Sequence, residues 1–399
     1  MSFKEERIDN IRSIQMKKCI ALLAIIGGLI GVMQIFQLGP WTFRPGLLWP
    51  YLSYIDDPRY NMGISCGTPY KCKLTINYGE KLSLTERIQE INASMLHFFK
   101  LTHLKANTTY YWKLNCSDGM ISLPYINKIH EFRTAPDSGP FKICVMGDNR
   151  PDFFGISEFP QIMRRVVEES PNFIINVGDI VMSPTDYWQW DRFFYDIRNC
   201  ATIGAAYMIG IGNHEWDEYT IIPDKGKTYK TYVNFPYKEN YYAFNYSNVA
   251  FISIDTNEGE MTPSQLQDVE KWLDAANKSS KVDWVIVYGH HPIYDVDGRN
   301  SRVADKFEAL FKKYNVDMYL AGHHHHYARL RVENLTYIIS AGAGAELDIN
   351  IQNESPFLIK SAIMFHYCKF EFNGKSLNVK IISHNGIIID DFVLYSHKS

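Results

Sequence analysis

After Phe141 the chain repeats one local pattern, an apolar run that stops at glycine followed by a polar residue. FKICVMGD (141–148), NFIINVGD (172–179), AAYMIGIGNHE (205–215), WVIVYGHHP (284–292) and VDMYLAGHHHH (316–326) all follow it. Uninterrupted apolar runs of this length predict strands covered on both faces, as in parallel sheets. Helical spacing at 157–170 (capped by Ser157), 263–277 and 301–314 supplies the cover, so the region predicts an α/β layered core. TYIISAGAGAE (336–346), MFHYCKFEF (364–372) and LNVKIIS (377–383) read as further strands that close a second sheet. Tyr60 to Thr134 has another texture. There LTINYGEK (74–81), MLHFFKLTHL (95–104) and TTYYWKLNCSDG (108–119) alternate apolar and polar positions between turn residues, which predicts a small antiparallel sandwich. An aromatic, proline-rich stretch at 41–57 reads as an irregular lead-in, and APDSGP (135–140) as a linker.

The first residues break this average. Cys19 to Phe36 carries no charge and is long enough to cross a bilayer, which takes about 17–25 apolar residues. Lys17 and Lys18 adjoin it, with Arg7 and Arg12 upstream. That excess predicts a cytoplasmic tail at 1–18, a transmembrane signal-anchor at 19–38 and an extracytoplasmic remainder. Secretion after cleavage is the alternative, although Phe36-Gln37-Leu38-Gly39-Pro40 contains no small-x-small site. Sequons beginning at Asn92, Asn107, Asn115, Asn245, Asn277, Asn334 and Asn353 agree with an outside location and with glycosylation. At 399 residues the chain has room for two or three domains. A net charge of −3 gives no basic field, so nucleic acid is not expected as a partner. Among Cys66, Cys72 and Cys116 one oxidised pair is allowed, whereas Cys144, Cys200 and Cys368 read as buried thiols.

The five strand ends place Asp148, Asp179, Asn213, His214, His290, His323 and His325 in loops, where α/β proteins gather ligand sites. Each offers an oxygen or an imidazole nitrogen and none is a thiol, a donor set suited to Zn, Mn or Fe. Taken singly, each has a plainer explanation. Gly-Asp after a strand is usually a turn, Asn213-His214 a cap, His290 a hydrogen-bonded core histidine, and the run 323–326 a polar loop. Turns and caps do not account for their recurring, in order, behind apolar strands.

Gly147-Asp148, Gly178-Asp179, Gly212-Asn213-His214-Glu215, Val287-Tyr288-Gly289-His290 and Gly322-His323-His324-His325 resemble the ordered signature of calcineurin-like metallophosphoesterases. LTHLKANTTYYWKL (101–114) and SAGAGAE (340–346) resemble the purple acid phosphatases within that superfamily. The resemblance covers roughly Tyr60 to the C-terminus. It implies a four-layer αββα metallophosphoesterase sandwich at 141–395, preceded by a fibronectin-III-like β-domain at 41–135 and the N-terminal transmembrane helix. It also implies a binuclear centre of Fe, Mn or Zn. Asp148 and His325 would hold one ion, Asp179 would bridge, and Asn213, His290 and His323 would hold the other, leaving His214 to face the substrate as the catalytic group. In such a centre a metal-bound hydroxide attacks phosphorus.

Three positions depart from that pattern. Met182 stands where the purple enzymes carry tyrosine, so an iron–tyrosinate colour is not expected. Arg150 stands where other branches carry histidine, which leaves the first ion a ligand short, with water or Asn149 to fill the gap. Arg150 itself reads either as a fixed cation for substrate phosphate or as a surface ion pair. Arg299 stands where many purple enzymes carry a substrate-facing histidine, and reads as a second phosphate grip. Tyr187, Trp188 and Tyr294 either line the rim or pack. The resulting expectation is a membrane-anchored phosphomonoesterase facing outward, acting on a phosphate ester. Its alternatives are a phosphodiesterase at the same centre, or a degenerate member that binds without turnover.

Overall fold

A computed structural model describes residues 48–398 except 117–122, 153–154, 218–223, 236–237, 239 and 353. Among the described residues, two large sheets form the centre. The first has nine strands, in spatial order Ile388–Tyr395, Ser376–Ser383, His366–Asn373, Phe141–Met146, Phe173–Asn176, Ala206–Ile209, Tyr51–Ser53, Met62–Cys72 and Ser94–Leu101. The second has seven: Tyr242–Tyr246, Val249–Ser253, Trp284–Tyr288, Met318–Ala321, Leu335–Ser340, Tyr327–Val332 and Leu358–Ala362. The middle strands of both are parallel, so their polar termini emerge along one rim.

The apolar runs form these strands because both of their faces are covered. Phe173–Asn176 and Trp284–Tyr288 are buried at every position. Alternation then divides the side chains. Trp284, Ile286 and Tyr288 enter the core between the sheets, while Val285 and Val287 enter a second core beneath the outer helices. The inter-sheet core is aromatic, with Phe173 edge-on to Phe251 at a centroid distance of 5.2 Å. Helices Phe159–Glu169 and Tyr187–Thr202 cover the nine-stranded sheet; Pro263–Lys278 and Ser301–Lys313 cover the seven-stranded one. Ser301–Lys313 shows why the outer layer holds. Asn300 accepts from the Arg302 N–H at its start, and Val303, Ala304, Phe307 and Phe311 face inward at helical spacing. Burying each larger one contributes about 1.5–3 kcal/mol. The layers run helix, sheet, sheet, helix.

Several details differ from the sequence expectation. The helix expected over 157–170 runs Phe159–Glu169, and Ser157 Oγ accepts from the Phe159 N–H at 3.2 Å rather than capping the helix conventionally. Tyr187–Thr202 is a helix that the aromatic texture of its sequence hid. The lead-in is not irregular throughout, since Tyr51–Ser53 pairs parallel with Ala206–Ile209 and antiparallel with Met62–Cys72. One sheet of the front sandwich is therefore continuous with the large sheet. Its other sheet, Glu86–Gln89, Leu74–Gly79, Thr109–Cys116 and Ile129–Arg133, stands separately. The expected linker starts inside the core, with Thr134 and Ala135 fully buried. The six described cysteines are free thiols.

The single-pass membrane placement is corrected. No helix among the described residues is long and apolar enough to cross a membrane. The longest ones detailed above, Tyr187–Thr202 and Pro263–Lys278, run 16 residues each and carry charged faces, short of the roughly 20 apolar residues that a span takes. The segment 19–38 lies outside the described residues.

Candidate metal centre

The rim of the parallel strands brings the motif residues together under visible backbone strain. Asp148, Asp179 and His323 all adopt left-handed backbone, with φ of 56°, 56° and 74°. Non-glycine residues hold such angles at a cost of about 1–3 kcal/mol each, and only where the surroundings impose them. Glycine makes the approach possible. A Cβ on Gly212 would lie 2.1 Å from Asp179 Oδ1, and one on Gly322 would lie 2.4 Å from Asp148 Oδ2. Ligating atoms of Asp148, Asp179 and His290 all lie within 4.8 Å of one another, and all three residues are buried.

One side of Asp179 is a convergence of lone pairs. His290 Nδ1 lies 3.0 Å from Val177 O; a carbonyl only accepts, so Nδ1 carries a proton and fixes the ring. His290 Nε2 then faces Asn213 Oδ1 at 2.9 Å and Asp179 Oδ1 at 3.3 Å. His323 Nδ1 approaches the same Asn213 oxygen at 3.0 Å. Positive charge is required where these atoms meet. A proton on His290 supplies it: burial opposes protonation, but the Asp179 and Asp148 carboxylates push this imidazole up to about 9. A divalent cation would supply it equally well, so this donor set fits a metal. Burial and the charge on His290 push His323 the other way, down to about 4, leaving its lone pair available. Burial would raise Asp179, yet His290 and His214 hold it well below the usual carboxylate range.

The other side is built differently. Asp148 receives the His323 N–H on both oxygens at 3.1 Å, and His325 Nε2 lies 3.5 Å from its Oδ1. His325 Nδ1 is turned to Glu346 O. Arg150 is buried, with Nε 4.0 Å from Asp179 Oδ2 and Nη1 3.4 Å from Met182 Sδ. The surface ion-pair reading of Arg150 is thereby replaced by a buried guanidinium beside the central carboxylate. Asn149 Oδ1 accepts from Asn176 Nδ2 at 2.6 Å, which turns it away from the ligand role considered for it. His214 donates its Nδ1 proton to Met182 O at 2.8 Å, so Nε2 faces Asp179 Oδ2 at 3.8 Å. Arg299 is committed to other partners. Its guanidinium pairs with Asp305 at 2.9 Å and Glu308 at 2.8 Å on the following helix, carboxylates that occupy the fork meant for phosphate.

Sequence reasoning passed over two supports. Glu215 Oε2 accepts from the Gly212 and Asp179 N–H groups, both at 2.9 Å, and Oε1 from Ile180 and Val181 at 2.8 and 3.0 Å. Four bonds from one side chain pin the Asp179 loop, although burial and Asp179 push this carboxyl up to about 7. Its only signal was adjacency to Asn213-His214. The second support is Asp255-Thr256-Asn257, another polar terminus behind an apolar strand. Asn257 Nδ2 donates to Gly212 O at 3.3 Å, and Thr256 Oγ1 lies 2.9 Å from Nδ1 of the buried His291.

Residues 141–327 match the family model of the calcineurin-like phosphoesterases. These residues therefore form a calcineurin-like phosphoesterase domain. The chain is similar to Purple acid phosphatase 21 of Arabidopsis thaliana, 26% identical over 255 residues that cover 60% of this chain and 54% of that protein. It is also similar to the phosphoenolpyruvate phosphatase of Allium cepa, 26% identical over 282 residues covering 63% and 54%. The chain thus spans about half the length of these curated relatives. The calcineurin-like fold resembles that of the purple acid phosphatase PPD1 from yellow lupin (Lupinus luteus) seeds, with a TM-score of 0.75 at 18% identity, covering 88% of this chain and 74% of that one. Purple-acid-phosphatase-like members use a binuclear metal centre, and the Asp148–Asp179–His290 group is its candidate counterpart here.

Proposed function

We propose that this chain is a metal-dependent phosphoesterase acting on phosphate monoesters. One observation carries the reading: Asp179, Asn213, His290 and His323 aim lone pairs at one point, with Asp148 and His325 beside it. When bound, metal ions supply Lewis-acid neutralisation of the phosphoryl oxygens and lower the pKa of water at the site. The chain's own groups do the positioning. Val177 O holds the His290 ring so that Nε2 stays aimed. Asp179, with His290 near one oxygen and Arg150 near the other, would be the carboxylate that the two sets of ligands share. Met182 O holds His214 so that Nε2 is left to donate a proton to the leaving oxygen or to steady charge on phosphate. Arg150 brings permanent positive charge to the same place. The β-rich part, read as fibronectin-III-like over 41–135, supplies Tyr51–Ser53, Met62–Cys72 and Ser94–Leu101 to the nine-stranded sheet that it shares with the 141–395 part.

The test is turnover of p-nitrophenyl phosphate against bis-p-nitrophenyl phosphate with added Mn, Zn or Fe. We expect metal-dependent turnover of the monoester that a chelator abolishes. Preference for the diester would replace monoesterase with diesterase. Neither substrate turning over, with metal demonstrably bound, would leave only a binding role. Phosphoenolpyruvate is worth including, since one relative is named for it.

A further inference from the structure

We infer that the Arg150 guanidinium takes the place of one of the two cations, so that this chain holds a single metal ion, on the Asn213–His290–His323 side of Asp179. The inference rests on the phosphoesterase reading and sharpens it. The two oxygens of Asp179 already have separate surroundings. Oδ1 meets the His214 N–H at 3.1 Å and His290 Nε2 at 3.3 Å. Oδ2 faces Arg150 Nε at 4.0 Å and His214 Nε2 at 3.8 Å. Arg150 is also tied to this residue through its backbone, whose N–H donates to Asp179 O at 3.0 Å. Its side chain is 11% exposed, and Nε has no hydrogen-bond partner, so a donor is held beside the central carboxylate.

The protein groups that would complete a first ion's shell are missing from that side. Arginine has no lone pair to offer at any attainable pH. Met182 presents a thioether, a poor match for Mn, and touches the guanidinium at 3.4 Å. Asn149 is committed to Asn176. The two positions where relatives would supply the missing ligand are therefore in contact with each other, and neither ligates. Charge points the same way. Two dications and a guanidinium against the Asp148 and Asp179 carboxylates would leave a large uncompensated positive charge in a buried place. One dication with the guanidinium comes close to balance.

Metal content of the purified full chain decides this. The chain is saturated with Mn(II), freed of excess, and read by plasma mass spectrometry and by electron paramagnetic resonance. We expect about one ion per chain and the six-line signal of an isolated Mn(II), against about two ions in a binuclear centre. Arg150→His replaces the guanidinium with a ligating imidazole and should take up a second ion, with spin coupling between the pair. Two ions in the unaltered chain overturn the inference, as does a folded Arg150→His that still holds one. The count in the unaltered chain stands whether or not the variant folds. A chain that takes up no ion fails the phosphoesterase reading itself; two ions fail this inference alone.

Discussion

The two sides of Asp179 solve one electrostatic problem with different parts. Toward Asn213, His290 and His323, donors converge without a permanent cation, and either a proton on His290 or a bound cation supplies the positive charge at their centre. Toward Asp148 and His325, a buried guanidinium stands next to the carboxylate and the carboxylates already have protein donors. The strand-end scaffold is common to both sides. What separates them is the identity of residues 150 and 182, two and three residues past the aspartates that the motifs record. A motif match therefore reports the scaffold and leaves open how many cations the scaffold carries.

That contrast can be broken by mutation. The largest effect should follow His290→Ala, which removes a convergent lone pair. Bound metal should be lost and turnover of p-nitrophenyl phosphate should fall about 10³–10⁴-fold, the scale of a lost Lewis acid. His325→Ala on the other side should keep its bound ion; equal metal loss from the two variants would erase the asymmetry. His214→Ala should lower kcat about 10²-fold while metal content stays at the level of the unaltered chain. Loss of metal in that variant would make His214 a ligand. Gly212→Ala drives a methyl group against Asp179 Oδ1 and should weaken metal binding about 10–100-fold, as displacement of a supporting group does. Calorimetric titration with Mn(II) would show it, and unchanged affinity would mean that the loop yields.

The smallest effect compares two buried carboxylates. Asp179 is held ionised by His290 and His214, whereas Asp191, on the Tyr187–Thr202 helix, has an Oδ1 with no hydrogen bond and is pushed by burial up to about 7. A carboxyl raised above its unfolded value binds protons more tightly in the native state. Its destabilisation is therefore absent below the unfolded value of 3.8, grows as pH rises, and is complete above about 7. Asp191→Asn should stabilise the chain by about 1–2 kcal/mol at pH 8, reduced from the full shift because the residue is partly exposed. The gain should shrink toward pH 4. A gain independent of pH in thermal melts would refute the assignment.

Much of this was legible in the chain itself. The apolar run ending in glycine and a polar residue located five strand ends of the rim, because strands covered on both faces leave no room for polar side chains until they end. It missed the sixth, at Asp255, where serine and aspartate within FISIDTN blur the same pattern. The helix at 187–202 was obscured because its inward residues Trp190, Phe193, Phe194 and Ile197 are flanked by outward aromatic ones such as Tyr195. Glu215 could be read only as a motif neighbour, since its four partners are backbone groups, three of them more than thirty residues away in sequence. Arg299 illustrates the opposite failure. Its position in the motif pattern suggested phosphate, but Asp305 and Glu308, six and nine residues further on, compete for the same fork.

The short strand Tyr51–Ser53 has a practical consequence. It is the neighbour of Ala206–Ile209 in the large sheet, on the side away from Phe173–Asn176. A fragment trimmed to begin at Phe141, where the sequence suggests a natural cut, would leave the backbone donors and acceptors of Ala206–Ile209 bare along one side. Naked edges of this kind stick to one another. Such a fragment should clump rather than yield a quiet, well-behaved half, and its silence in an assay would say nothing about the chemistry of the rim.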